Sequence, residues 1–300
     1  MLPIKKLYID TRTRTLDSVS TSNFKIELPD TLFMPQNTIF FVDNVSIPHS
    51  WYTIEQNIND RLFVQLTTNN TNVNLKPNEC RIVTLSPGNY NISTLATELQ
   101  TKLNQAFAST TYPSPVFTVV ANANENNITV TPLYADLLIK ILSDYDLKTG
   151  MAGVNINGWI GAWNGVSYDT NNPRDMNNIL SNNTGQPSSF FSQASPFVSG
   201  YVDLQSVKNL YISSPNLGTF ITISPDGSRS VLKKIPVNAN QHQMILSEAT
   251  SGNDFLDCSR QTLKTLQFEL KDCFGNNVNL HGANWSFSLI FSKYRSEVEE

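Results

Sequence analysis

Histidine and cysteine are the residue types in this sequence best suited to binding a metal ion or catalysing a reaction. They are His49, His242 and His281, with Cys80, Cys258 and Cys273. A structural zinc site needs such ligands at short, repeated spacings, but these cysteines form no C-x-x-C pair and have no histidine at ligand spacing. We therefore expect no metal site and no disulfide framework, and we interpret the cysteines as buried free thiols.

Carboxylates and glycine-rich loops give no stronger indication of catalysis. Asp144 and Asp146 fall in a predicted loop, and Glu299 and Glu300 fall in a polar tail. Neither phosphate-binding pattern, G-x-x-x-x-G-K-[ST] or G-x-G-x-x-G after a strand, occurs. Asp226-Gly227 is the kind of dipeptide expected in a β-hairpin turn. The sequence thus predicts a protein that is not an enzyme and has no cofactor or catalytic residue.

Charge and hydropathy exclude two further classes. The 300 residues carry 21 basic and 25 acidic side chains, a net charge of −4. A nucleic-acid-binding protein without sequence specificity needs a basic surplus, which argues against that class, and we also expect no sequence-specific nucleic-acid partner. No apolar stretch approaches the roughly 20 residues of a membrane span, and the first ten residues lack the apolar core of an export signal.

Short strands separated by asparagine-rich turns dominate the pattern. Leu266, Phe268 and Leu270 alternate with polar residues, as do Trp285 and Phe287. The predicted strands span residues 24–28, 38–47, 61–67, 117–120, 128–131, 207–213, 220–224, 231–237, 244–246, 263–271 and 284–291. Apolar residues at helical spacing predict one amphipathic helix over residues 92–107, capped by Asn91 or Ser93.

These elements predict an all-β fold, a single jelly roll or Greek-key β-sandwich, with one amphipathic helix and a long insertion rich in Gly, Asn and aromatic residues. The jelly roll is expected to comprise residues 24–143 and 201–293, with the insertion or elaborated loop at 144–200. Residues 1–23 are expected to form an extended arm, and 294–300 a C-terminal tail.

The predicted insertion carries aromatic residues with few charges. Trp159, Trp163 and Tyr168 are suited to stacking on sugars or anchoring a protein contact, and they define a possible outward contact surface. Packing of these rings onto their own domain is the alternative interpretation. They also leave open a second function, a jelly-roll carbohydrate-binding or host-attachment module.

Several segments, in order along nearly the whole chain outside residues 144–200, resemble the penton (vertex) capsid proteins of virophages and Maverick/Polinton elements, mavirus-like members in particular. They are YIDTRTR (8–14), FKIELP (24–29), FVDNVSIP (41–48), HSWY (49–52), LSPGNY (85–90), VKNLYIS (207–213), VLKKIPV (231–237) and WSFSLIF (285–291). Each motif alone is weak, and their order carries the resemblance.

The resemblance implies a structural capsid protein, a single jelly roll that forms a homopentamer at the fivefold vertices of an icosahedral virion. It implies major capsid protein capsomers as partners, assembly inside the host cell, and a host surface glycan or receptor as a further contact. We expect Lys5, Lys6, Arg12 and Arg14 to tie the penton to adjacent capsomers through the N-terminal arm. Five subunits in a ring would use heterologous contacts, in which two different flanks meet.

Overall fold

The computed structural model describes residues 5–69, 79–109, 111–149, 175–182, 185–217, 221–248 and 254–294. The chain divides into two compact units. Unit 1 is formed by Met1–Trp51 with Val207–Glu300, and unit 2 by Tyr52–Ser206. The second unit is therefore inserted into the first, between two segments that fold together.

Strands make up most of the regular secondary structure among the described residues. They are β1 (Lys5–Asp10), β2 (Asn23–Phe33), β3 (Thr38–Pro48), β4 (Arg61–Thr68), β5 (Glu79–Thr84), β6 (Phe117–Asn122), β7 (Asn127–Pro132), β8 (Leu137–Ile141), β9 (Phe197–Val198), β10 (Asn209–Ser213), β11 (Val231–Pro236), β12 (Met244–Ser247), β13 (Leu256–Asp257), β14 (Thr262–Lys271) and β15 (Ser286–Lys293). The helices are α1 (Ile92–Phe107), α2 (Asp144–Thr149), α3 (Asn177–Leu180) and a 3-10 turn at Thr11–Thr13. No helix among the described residues is long and apolar enough to cross a membrane.

Unit 1 is a jelly roll. Its two antiparallel sheets have the orders β1-β15-β3-β12, here called the β1 sheet, and β11-β10-β14-β2, here called the β2 sheet. With the short strand β13 set aside, and the other strands of the unit counted in chain order, the sheets read 1-8-3-6 and 5-4-7-2. Strands from the two ends of the chain are thus neighbours, as in two interlocked Greek keys. The predicted fold class is confirmed.

Aromatic side chains fill the space between the two sheets. Phe268 of β14 lies 5.7 Å from Phe24 of β2 and 5.0 Å from Phe287 of β15, measured between ring centroids. Trp285 stacks on Phe287 at 5.0 Å, and its indole N–H donates to the carbonyl of Thr21 at 2.7 Å. These rings are almost fully buried. The period-2 alternation in β2, β14 and β15 places them on the same side of their strands.

Unit 2 contains the predicted amphipathic helix. Asn91 and Thr94 form a reciprocal capping box at its start, and Leu95, Leu99 and Leu103 are buried. The helix packs against the hairpin β6–β7, which the sequence also predicts. Asn104 fixes this contact, since its amide oxygen accepts from the backbone N–H groups of residues 116 and 117.

The division into units differs from the expected boundaries. Residues 52–143, expected within the jelly roll, lie in unit 2, where β4, β5 and β8 form one sheet and β6, β7 and β9 another. Alternating apolar residues show that a strand has one buried face, but they do not show which core that face joins. Of the expected insertion, residues 150–174 lie outside the described residues, as do residues 295–300 of the expected tail.

The N-terminal segment is also different from the expected extended arm. Residues 5–10 form β1, which pairs with β15 from Lys5↔Phe291 to Asp10↔Ser286. Ile9 is buried and Leu7 half-buried, whereas Tyr8 is exposed. Only Leu7 and Ile9 of this segment face the core. Two apolar residues in alternation are too few for the sequence to distinguish an edge strand from an extended chain end.

Substitution of Gly275 tests how closely its turn packs against the turn that contains Asp226. Its φ is +81°, and a Cβ there would overlap the Asp226 carboxylate, whereas Gly282 has φ +80° and open space around it. Gly282→Ala should lower the free energy of unfolding by about 1 kcal/mol, the cost of left-handed backbone. Gly275→Ala should cost about 0.5–1 kcal/mol more, because the exposed Asp226 carboxylate must rotate away and give up the hydrogen bond from the Ser228 N–H.

Urea denaturation of both variants, repeated in an Asp226→Ala background, measures this difference. The excess cost of Gly275→Ala should disappear in that background, since the overlapping carboxylate is gone. Equal costs for the two glycine substitutions would show that this turn contact is not tight.

Candidate interaction surface

The three histidines lie around one loop of unit 1, which their sequence spacing does not indicate. The backbone N–H of His242 donates to the carbonyl of His49 at 3.0 Å, and Nδ1 of His281 donates to the carbonyl of Ser50 at 2.7 Å. His49 is buried, stacks on Trp51 at 4.1 Å, and donates from Nδ1 to Ala239 at 2.8 Å. Two of the rings are thus held by backbone carbonyls. Among the described residues no group of three His, Cys, Asp or Glu side chains is placed to hold a metal ion.

The carboxylates Asp144 and Asp146 have structural contacts inside unit 2. They lie in helix α2, not in the predicted loop, and both are buried. Asp146 accepts from the N–H and hydroxyl of Ser143 and from the N–H of Ser188, and it lies 3.4 Å from the Lys140 ammonium. Asp144 accepts from the Asn177 amide at 3.1 Å. Through these hydrogen bonds and the ion pair, the two buried carboxylates fix the start of helix α2.

The two cysteines whose side chains are described are free thiols. Burial, with a smaller contribution from Asp257, raises the pKa of Cys258 to about 12. Burial and then Asp272 raise the pKa of Cys273 as well. Both therefore stay protonated at neutral pH, and a thiol is a much weaker nucleophile and metal ligand than a thiolate.

The four basic residues expected in the arm differ in their contacts. Arg12 forms an ion pair with Asp10, its Nε lying 2.9 Å from Oδ1, and the hydrogen bond from Arg12 lowers the pKa of that carboxyl. Arg14 donates to the carbonyl of Thr11 at 2.8 Å. Lys5 and Lys6 are exposed on the edge strand β1, where Lys6 lies 5.2 Å from the centre of the Tyr8 ring and 3.9 Å from Asp43.

The outward faces of the two jelly-roll sheets have different compositions. The β2 sheet presents the polar residues Lys25, Glu27, Gln267, Glu269 and Lys271. The outward face of the β1 sheet carries the apolar residues Tyr8, Phe41, Met244, Leu246 and Ile290 among polar ones, which include Lys6, Asp43 and Ser288. Tyr8 and Leu246 are 75% and 63% exposed. A sheet with one solvated face normally shows polar residues there, so the β1 sheet has the composition of a contact surface.

Lys233 is a buried ammonium that connects the two sheets of the jelly roll. It lies on β11 of the β2 sheet, and its Nζ donates to the carbonyl of Val42 on β3 at 3.1 Å and to that of Glu248 at 3.0 Å. Strand β3 pairs with β13 at Phe40 and with β12 from Val45, so Lys233 reaches the gap between the two pairings. Burial lowers the pKa of Lys233, and the carboxylates of Asp254 and Asp43 oppose that effect.

The residues expected to face outward, Trp159, Trp163 and Tyr168, lie outside the described residues. Of the two sets of site residues expected from the sequence, the structure therefore describes only the four basic residues of the N-terminal segment. The apolar outward face of the β1 sheet was not predicted as a site. The sequence does indicate this face through Phe41 and Ile290. Both are apolar residues at strand positions where the alternating pattern predicts polar ones.

The topology and the surface together define this chain as a jelly-roll protein with a second compact unit inserted between β3 and β10. The crystal structure of the mavirus penton protein is similar to it, with a TM-score of 0.52 and 10% sequence identity, over 97% of this chain and 100% of the penton chain. No family model matches the sequence, and no curated protein matches it. The likeness at this identity is one of fold.

Lys233 also provides a test of the sheet-to-sheet connection. Lys233→Met keeps much of the side-chain volume but removes the donor from two carbonyls, so the free energy of unfolding should fall by about 1–3 kcal/mol. Lys234→Met is the matched control, because Lys234 is exposed and should change stability by less than about 0.5 kcal/mol. Equal urea midpoints for the two variants would contradict the role given to Lys233.

Proposed function

We propose that this chain is a structural capsid protein that forms pentamers at the fivefold vertices of an icosahedral virion. The observation that carries the proposal is the jelly roll with an inserted second unit, similar over nearly the full chain to the mavirus penton protein. On this proposal its partners are four further copies of itself and the surrounding major capsid protein capsomers. A virophage or Maverick/Polinton origin is part of the same proposal, and it rests on the ordered motifs described above.

The two faces of the jelly roll support an assembling protein. A closed ring of identical subunits uses heterologous contacts, in which one flank of each copy meets a different flank of the next. Unit 1 offers such flanks, because its β1 sheet has two edge strands, β1 and β12, and an apolar outward face. With β1 paired to β15, Lys5 and Lys6 lie on a fixed sheet edge and not on an extended arm, so the contact with adjacent capsomers stays proposed for Arg12 and Arg14.

A structural rather than enzymatic role agrees with the contacts of the polar side chains. Asp144, Asp146, His49 and His281 each bond to neighbouring backbone or side chains. The host-surface or glycan contact of Trp159, Trp163 and Tyr168 stays a prediction, since no described residue tests it.

The mass of the purified chain in solution tests the proposed assembly. Five copies of the 33.5 kDa chain give about 170 kDa for a closed ring. Mass photometry across a concentration series should show this species growing at the expense of monomer, without a ladder of larger forms. A discrete trimer, or a monomer at every concentration, would contradict the proposal.

A further inference from the structure

We propose that the β1 edge of one copy docks against the β12 edge of a second copy, and that this contact repeats around the ring. The β1 edge is defined here by Lys5, Lys6 and Tyr8, and the β12 edge by Leu246, Glu248 and Asp254. This inference rests on the proposed function, because it names the surfaces that would join its subunits.

The β1 edge is an incomplete sheet boundary. Among the described residues β1 pairs with β15 and with no strand on its other side. Lys5, Lys6 and Tyr8 are all exposed there. Lysines on an edge strand prevent uncontrolled strand pairing, and a partner with acidic side chains removes that barrier. Tyr8 adds a large amphipathic ring of the kind that anchors protein interfaces.

The β12 edge, at the opposite side of the same sheet, has the complementary composition. Met244 and Leu246 are 47% and 63% exposed, and Phe255 is 42% exposed and packs edge-on against Phe41 at 5.2 Å. Glu248, at the end of β12, and Asp254, before β13, are exposed acidic residues. An apolar strip flanked by carboxylates is thus available to receive Tyr8 and the two lysines.

The charges specify the direction of the contact. Two β1 edges would bring lysines together, and two β12 edges would bring carboxylates together, so symmetric pairing of like edges is disfavoured. The opposite edges attract, which gives a head-to-tail contact. A head-to-tail contact builds a ring when its rotation closes, in agreement with the proposed pentamer.

Charge reversal tests the pairing. Lys5→Glu with Lys6→Glu places four carboxylates at the contact and should raise the dissociation constant for assembly by about 100-fold. Glu248→Lys with Asp254→Asn should weaken assembly as well, and the urea midpoint of this variant checks that losing the Asp254 charge near the buried Lys233 leaves unit 1 folded. The chain with all four substitutions should recover assembly to within about tenfold of the parent, because the two edges again carry opposite charges.

The matched control reverses two exposed basic residues elsewhere in unit 1, Lys234→Glu with Arg229→Glu, which changes net charge by the same amount as the two lysine substitutions. It should assemble like the parent in sedimentation velocity. A pentamer that resists both reversals, or a fourfold variant that does not recover, would overturn the docking of these edges and leave the proposed function standing. A parent chain that never assembles would overturn both.

A disulfide test does not depend on charge. Tyr8→Cys and Leu246→Cys lie on exposed positions of the two edges, so neither should disturb folding. The chain carrying both should form covalent dimers to pentamers on mild oxidation, whereas either single variant should form none through these sites. Equal cross-linking of single and double variants would contradict the proposed contact.

Discussion

The aromatic cluster between the two jelly-roll sheets joins the ends of the chain. Phe24 comes from the N-terminal part, and Phe268, Trp285 and Phe287 come from the C-terminal part. Burying these rings contributes some of the largest apolar areas available to any side chain. Because the cluster combines residues from β2, β14 and β15 with Trp285, the core of unit 1 is built from both terminal parts of the chain. Unit 2 can then be inserted between β3 and β10 while unit 1 keeps its sheet order.

Since these rings fill the core, any contact with another molecule must be made by the outward faces and edges of the two sheets. The β2 sheet presents charged and polar side chains, whereas the β1 sheet presents Phe41, Leu246 and Ile290 and two edges of opposite charge. Inside, Lys233 supplies donors where β3 lacks a continuous neighbour. The interior thus stabilises the jelly roll, and the proposed contacts between copies use one of its two sheets. That combination supports the proposal of a shell protein that recognises copies of itself.

Local patterns predicted much of this fold. Helix α1 follows from leucines at helical spacing after an Asn cap, and Asp226-Gly227 forms the predicted turn with Gly227 at φ +80°. The unit boundaries did not follow, because a strand's alternation is the same in either core. The loop shared by the histidines and the reach of Lys233 to Val42 also depend on long-range pairing. The sequence analysis named Lys5 and Lys6, but in an extended arm; their place on an edge strand, and the apolar residues of the same sheet, needed the strand register.

On the proposed function, five copies of this chain form one closed ring. Electron microscopy of the purified assembly measures its rotational symmetry directly, without reference to any partner. End-on class averages should show five equivalent subunits around a single axis. Averages with three or six subunits, or open filaments of stacked copies, would contradict the account.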